Sequence, residues 1–115
     1  MKIRLTKFDA EASRLCRERD GACLYCGRPT SLNAHHVIGR ANKAVRFCLE
    51  NLVTLCVYHH VFSSDFSAHK TPEKFKRWFM KNYSLRWEIV KRKARTHLSE
   101  RDAVKEFQLA INKKG

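Results

Sequence analysis

The feature that most constrains this chain is a set of paired cysteines and histidines between residues 23 and 60. Cys23 and Cys26 are separated by two residues, and after 29 intervening residues Cys56 is followed by His59 three positions on. A structural zinc ion is bound tetrahedrally by four thiolate or imidazole ligands. Ligand pairs at both ends of such a span are typical of zinc knuckles. The sequence therefore predicts one structural zinc site.

Within residues 23–60, three histidines remain once these four ligands are assigned: His35, His36 and His60. His59 and His60 could exchange roles, because the third and fourth residues after Cys56 lie on the same helical face. A structural zinc site needs neither an adjacent histidine pair nor an extra histidine beside its last ligand, so we expect a chemical role for the remaining imidazoles. Neighbouring side chains of a strand point to opposite faces, so His35 and His36 cannot have the same role.

The order His36, Asn51 and His60 between cysteine knuckles resembles the HNH family of metal-dependent DNA endonucleases. The resemblance covers roughly residues 20–66 and depends on several elements in register. The basic loop 40–46 and the Arg46-Phe47 pair are also similar to small phage-type recombination nucleases of this superfamily. The matching segments are Cys-Leu-Tyr-Cys-Gly at 23–27, Ala-His-His-Val-Ile at 34–38, Glu-Asn-Leu-Val-Thr-Leu-Cys at 50–56, and His59-His60.

The resemblance implies a role for each of these residues. His36 matches the general base, a task that suits an imidazole with an unperturbed pKa of about 6.5. His35 and His60 match ligands of a catalytic divalent ion, Mg²⁺, Mn²⁺ or Ni²⁺, and His59 matches the last zinc ligand. Asn51 matches a residue that either joins the coordination shell of that ion or holds the His36 loop by hydrogen bonds to its backbone. The implied reaction is hydrolysis of DNA to a 5′-phosphate and a 3′-hydroxyl.

Two positions depart from the family pattern. His59 stands where a cysteine is more common, which keeps tetrahedral zinc binding feasible. Ser64 stands where many members have a third histidine, one helical turn after the position of His60. The catalytic ion is therefore expected either to keep more water or to recruit Asp65 or His69.

Residue patterns predict an α+β fold. Asp9 is expected to cap a first helix that runs to about Arg19, and Leu32–Ile38 and Leu52–Leu55 are expected to be strands on either side of a basic loop. A short helix is expected from Cys56 to about Ser63. The resemblance implies that strand, strand and helix form a ββα-metal core around one cation.

Beyond residue 70 the chain is expected to be helical. Thr71-Pro72-Glu73 predicts a helix start, and Ser99 is expected to open a later helix. Cys16 and Cys48 are expected to be buried apolar residues. We expect a single domain, with an N-terminal helix in 1–22, a zinc-bound core in 23–66 and a basic helical extension in 70–115.

The charge balance predicts a polyanionic partner. Lysines and arginines number 24 against 11 acidic residues, which gives a formal net charge of +13. DNA is the expected partner, and a solvated basic surface or a membrane surface are the alternatives. Between Lys70 and His97 there are ten basic residues against Glu73 and Glu88. The candidate DNA contacts are Arg40, Lys43, Arg46, Lys91, Arg92, Lys93 and Arg95.

Compartment and alternative functions follow from what the sequence lacks. It has no run of about 18 apolar residues, and its N-terminus lacks the apolar core of a signal peptide. We therefore expect a cytoplasmic protein of a bacterial cell or a phage-infected host, with its five cysteines in metal sites or as spare thiols rather than in disulfides. Because phosphate contacts dominate both DNA and RNA recognition, an RNA-cleaving nuclease of the same fold remains an alternative, as does a non-catalytic zinc-ribbon DNA-binding module.

Overall fold

The computed structural model describes residues 5–114 and combines helices with one small sheet. This mixed architecture agrees with the predicted α+β class. None of the helices in the described part of the chain has the length and apolar character needed to cross a membrane. The elements are α1 (Leu5–Asp20), β1 (Leu32–His36), a 3₁₀ turn (Leu49–Asn51), β2 (Leu52–Cys56), a π-helical turn (Tyr58–Phe62), α2 (Pro72–Asn82), α3 (Ser84–Ala94) and α4 (Glu100–Lys114).

The sheet is an antiparallel pair of five-residue strands. β1 pairs with β2 so that His35 lies opposite Val53 and His36 lies opposite Leu52. All residues of β2 are buried, whereas those of β1 are half-buried. Because side chains alternate along a strand, His35 and His36 face opposite sides of this sheet.

Two apolar cores pack against the sheet, and β2 contributes to both. We call the first the α2 core: β2 provides Val53 and Leu55, and α2 provides Phe75 and Phe79. We call the second the α1 core: Leu52 of β2 packs with residues of α1 and α4. The α1 and α4 residues that are buried there are Ala12, Cys16, Ala103, Val104 and Phe107.

The spare cysteines are both buried, as expected. Cys16 is completely enclosed in the α1 core, and Cys48 packs with Val45 and Val90 in a smaller cluster that includes α3. Burial is the largest influence on both thiols and raises the pKa of Cys16 and Cys48, that of Cys48 to about 11. Both thiols are therefore protonated at neutral pH, and the thiol is a weaker nucleophile than the thiolate.

The first helix begins earlier than the sequence predicted. The chain is already helical at Leu5, so Asp9 lies inside α1 and does not cap it. The Asp9 carboxylate instead accepts hydrogen bonds from the guanidinium of Arg46. The helix ends where predicted, because Gly21 adopts a φ of 71° and donates its N–H to the Arg17 carbonyl at 2.8 Å.

The later helices begin close to the predicted positions. α2 starts at Pro72, but the Thr71 hydroxyl forms hydrogen bonds with the backbone of Ser67 and leaves the first turn of α2 uncapped. The Ser99 hydroxyl accepts a hydrogen bond from the Asp102 amide at 3.1 Å at the start of α4. The predicted Cys56–Ser63 helix is shorter, because β2 extends through Cys56.

Candidate metal centres

The four predicted zinc ligands come together, and we call them the cysteine cluster. The ligand atoms of Cys23, Cys26, Cys56 and His59 all lie within 4.8 Å of one another. The Cys26 and Cys56 Sγ atoms are 3.8 Å apart, and Cys56 Sγ is 3.4 Å from His59 Nδ1. A tetrahedral zinc ion with ordinary bond lengths would separate two sulfurs by about 3.8 Å and a sulfur from a nitrogen by about 3.6 Å. The cluster therefore fits a zinc ion.

Backbone hydrogen bonds shape the first knuckle of this cluster. Gly27 adopts a φ of 82° and donates its N–H to the Cys23 carbonyl at 2.8 Å. The Leu24 amide donates to Thr54 O at 3.0 Å, which ties the knuckle to β2. Burial acts to raise the pKa of the Cys23 thiol, but amide N–H groups, first that of Cys56, outweigh it and lower the pKa. These amides favour the thiolate, which is the form that binds metal.

A second group of ligands includes the other histidine of the π-helical turn, His60, and we call it the histidine cluster. The nitrogens of His35, His60 and His69 also lie within 4.8 Å of one another. His60 Nε2 and His69 Nε2 are 3.2 Å apart. Two imidazole nitrogens that bind one cation at about 2.1 Å are separated by about 3.0–3.4 Å in octahedral or tetrahedral geometry. The cluster therefore fits a divalent transition-metal ion.

Neighbouring polar groups orient the ligands of the histidine cluster. His60 Nδ1 lies 3.1 Å from Asn33 Oδ1 and donates to it, because an amide oxygen only accepts. This leaves the lone pair of His60 on Nε2, the nitrogen that faces His69. The backbone N–H of His69 donates to the His60 carbonyl at 3.0 Å, so His69 is fixed to the π-helical turn.

His35 and His60 of this cluster are in the form that binds a cation. Burial, followed by the neighbouring His60 and His69, lowers the pKa of His35 to about 3. Burial, followed by His69, also lowers the pKa of His60. Both imidazoles are therefore neutral at neutral pH, and each offers a nitrogen lone pair.

One of the candidate third ligands lies beside His35 and His60. His69 joins His35 and His60, whereas Asp65 is not part of any ligand group in the described residues. His59 and His60, whose roles could be exchanged, lie in different groups: His59 with the cysteines and His60 with His35 and His69. His69 carries no motif of its own, and its proximity in the fold favours it over Asp65.

His36 lies on the opposite face of β1, and its hydrogen bonding leaves one ring nitrogen free. His36 Nε2 is 3.0 Å from the Arg46 carbonyl oxygen. A carbonyl only accepts, so Nε2 carries the proton and Nδ1 carries the lone pair. His36 Nδ1 has no hydrogen-bond partner within residues 5–114 and is not enclosed. Burial lowers the pKa of His36, against the opposing effect of the Arg46 carbonyl, so the ring is neutral at neutral pH.

Asn51 holds the loop that follows β1. Its side chain is completely buried, and Nδ2 donates to Ile38 O at 2.9 Å and to Val45 O at 3.1 Å. Its Oδ1 accepts the Ile38 N–H at 2.8 Å. Of the two roles left open by the sequence, these hydrogen bonds agree with the loop-holding one.

An ion pair holds the same loop from the side of α1. The Arg46 guanidinium forms two hydrogen bonds with the Asp9 carboxylate, and the two side chains are 16% and 15% exposed. Arg46 is thus engaged within the protein, although the sequence suggested it as a DNA contact. Arg40 approaches the same carboxylate at 3.9 Å but is mostly exposed.

Other candidate DNA contacts are also ion-paired. Lys43 lies 3.6 Å from Glu100, Lys91 lies 3.0 Å from Glu88, and Lys93 lies 3.2 Å from Glu106. Arg92 and Arg95 are exposed and form no ion pair in the described part of the chain. DNA contact by these residues stays a prediction.

Sequence reasoning missed two residues of these sites. Asn33, which orients His60, shares a face of β1 with His35 because the two are two positions apart. This two-residue spacing could have predicted that Asn33 lies beside His35. Asp9 was expected to be a helix cap, and its partner Arg46 is 37 residues away, so no local pattern connects the two.

Comparison of the chain with protein-family models, with curated proteins and with solved structures finds no match. The features that bear on function are therefore the two candidate metal centres, His36 and the motifs in the sequence.

Proposed function

We propose that this protein is an HNH-type endonuclease with a ββα-metal core, and that it hydrolyses DNA phosphodiester bonds with the help of a divalent ion. One observation carries the proposal: two adjacent histidines of β1 are prepared for different tasks. His35 belongs to the histidine cluster, and His36 presents a free, neutral ring nitrogen. A purely structural zinc protein would need neither arrangement.

Each residue then has a defined role in hydrolysis. A divalent ion in the histidine cluster would supply Lewis-acid stabilisation of the charge that develops on the leaving oxygen. His36 Nδ1 accepts a proton from the attacking water, while its Nε2–H stays on the Arg46 carbonyl and fixes the ring. Asn51 keeps that loop in place through its hydrogen bonds to Ile38 and Val45.

The cysteine cluster supports the site without taking part in the reaction. A two-stranded sheet alone has marginal stability in water, and a structural zinc ion contributes directly to folding. Cys56 ends β2 and lies four residues before His60, so zinc bound at Cys56 would hold the π-helical turn that carries His60. The net charge of +13 favours a nucleic acid as substrate.

Plasmid cleavage tests the proposal. Protein that retains zinc but has been cleared of weakly bound ions is incubated with supercoiled plasmid and added Mg²⁺, Mn²⁺ or Ni²⁺. We expect nicked or linear product only with an added ion. His36→Ala should lower the rate by about two to four powers of ten, because general-base catalysis contributes on that scale. His97→Asn is the matched control, since His97 is exposed at a φ of 55°, which asparagine tolerates.

Three outcomes would contradict the proposal. Cleavage by folded His36→Ala at the wild-type rate would show that His36 is not the general base. DNA binding without cleavage in any of these ions would indicate the non-catalytic binding module. Cleavage of RNA but not of DNA would indicate an RNA nuclease.

A further inference from the structure

The basic residues between Lys70 and His97 differ in what their side chains contact. Lys91 and Lys93 form ion pairs with Glu88 and Glu106. Arg86 is half-buried, with its guanidinium over the Tyr83 ring and an N–H donated to Leu52 O at 2.6 Å. These cations have partners within the protein, so they are less free to bind an external anion.

Four basic side chains on or just before α2 are arranged differently, and we call them the α2 stripe. All four are exposed, and none forms an ion pair within residues 5–114. Their spacing of four, three and four residues places them on one helical face. Glu73, the acidic residue of α2, forms no ion pair with them. The stripe consists of Lys70, Lys74, Arg77 and Lys81.

The α2 stripe is directed outward by the apolar face of the same helix. Phe75 and Phe79 are buried in the α2 core, and the stripe lies on the other side of α2. Lys74 Nζ donates one hydrogen bond, to Asp65 O at 3.2 Å, and an ammonium group has two further N–H donors. The stripe begins at Lys70, next to His69 of the histidine cluster.

We infer that the α2 stripe binds the phosphate backbone of DNA and leads the strand to the histidine cluster. This inference rests on the proposed function, because it assigns a path to the substrate of that site. The phosphates are complementary to an exposed row of cations that the protein itself does not neutralise. From Lys74 to Lys81 the helix rises by about 10 Å, which spans about three charges of one DNA strand at 3.4 Å each along the duplex axis.

A salt titration of DNA binding tests the inference. Lys74, Arg77 and Lys81 are replaced together by glutamine in the His36→Ala background, which keeps the DNA intact, and Lys70 is left because it adjoins His69. If three phosphates are contacted, the slope of log affinity against log salt should flatten by about 2.7, and duplex binding should weaken by about two to three powers of ten at 0.1 M salt.

The control removes the same charge from another surface. Lys7, Arg101 and Lys105 are exposed basic residues of α1 and α4, on the side of the α1 core. Their replacement by glutamine lowers the net charge equally and should change the slope by less than one unit. Equal slopes of log affinity against log salt for the two triple variants would overturn the inference. It would also be overturned if replacement of Lys74, Arg77 and Lys81 flattened this slope with duplex RNA but not with duplex DNA. Because the assay measures binding alone, it succeeds or fails independently of whether the wild-type protein cleaves.

Discussion

His69 joins the histidine cluster from outside any recognisable motif. The backbone N–H of His69 donates a hydrogen bond to the His60 carbonyl. Two residues earlier, the Ser67 amide donates to the Thr71 hydroxyl, which itself donates to the Ser67 carbonyl. The segment that carries His69 is therefore fixed before a cation binds. A fixed ligand loses little conformational entropy when it coordinates, which favours binding.

The first prediction concerns this third ligand. His69→Ala should weaken Ni²⁺ binding at the histidine cluster by more than tenfold, since loss of even an outer partner of a metal ligand typically costs about 10–100-fold. Calorimetric titration of zinc-loaded protein with Ni²⁺ measures this. Ser64→Ala is the control and should bind as wild type, because the Ser64 position supplies no ligand here. The opposite pattern would place the third ligand at Ser64 rather than at His69.

A second prediction concerns the ion pair of Asp9 with Arg46. Removing one partner of a buried ion pair lowers the free energy of unfolding by about 3–5 kcal/mol. Because the Asp9 and Arg46 side chains are slightly exposed, we expect the loss in Asp9→Asn to lie near the lower end of that range. Cleavage should also slow, because the Arg46 carbonyl that holds His36 lies in the loosened loop. Urea unfolding and single-turnover cleavage are the measurements.

The control for this pair is an exposed one. Lys43 and Glu100 lie 3.6 Å apart and are 57% and 38% exposed, so Glu100→Gln should cost at most about 1 kcal/mol. If Glu100→Gln and Asp9→Asn lose equal stability, the Asp9 pair contributes no more than a surface contact, and the loop must be held by Asn51 alone.

At the scale of elements, the sequence predicted those helices, strands and ligand pairs that depend on residues close together in the chain. Pro72 after Thr71 and the strand-like Leu52–Leu55 segment gave α2 and β2 within a residue or so. The paired cysteines predicted the cysteine cluster, because ligand spacing is itself local. The sequence offered His69 only as one option beside Asp65 and extra water, because the position of His69 depends on how the turn after Phe62 folds back over the π-helical turn.

The third prediction separates the two adjacent histidines of the π-helical turn. His59→Ala should lower zinc content, since His59 Nδ1 lies 3.4 Å from Cys56 Sγ. His60→Ala should keep about one zinc per chain and lose cleavage, since His60 faces His35 and His69. Elemental analysis of both purified variants, together with plasmid cleavage, measures the difference. Zinc loss in His60→Ala but not in His59→Ala would reverse the two assignments.

At the scale of the whole molecule, β2 connects the two cores. Val53 and Leu55 pack in the α2 core, and Leu52 packs in the α1 core. Between them, the buried Thr54 hydroxyl donates to the Cys16 carbonyl of α1 at 3.2 Å, and the Thr54 amide donates to the Asp20 carboxylate. Cys56 at the end of the same strand belongs to the cysteine cluster. A disturbance at the zinc site should therefore reach both cores through one strand.

The last prediction follows from this connection. Removal of zinc by a strong chelator should destabilise α1 as well as α2, because loss of the metal frees β2, which both cores need. Amide hydrogen exchange, followed by mass spectrometry of peptides from Leu5–Asp20 and Pro72–Asn82, should show protection falling together in the two helices. The control is the His60→Ala protein without chelator, in which the amides of both helices should stay protected. Protection that persists in α1 after chelation would show that the α1 core folds independently of the zinc site, and that β2 does not couple the two halves.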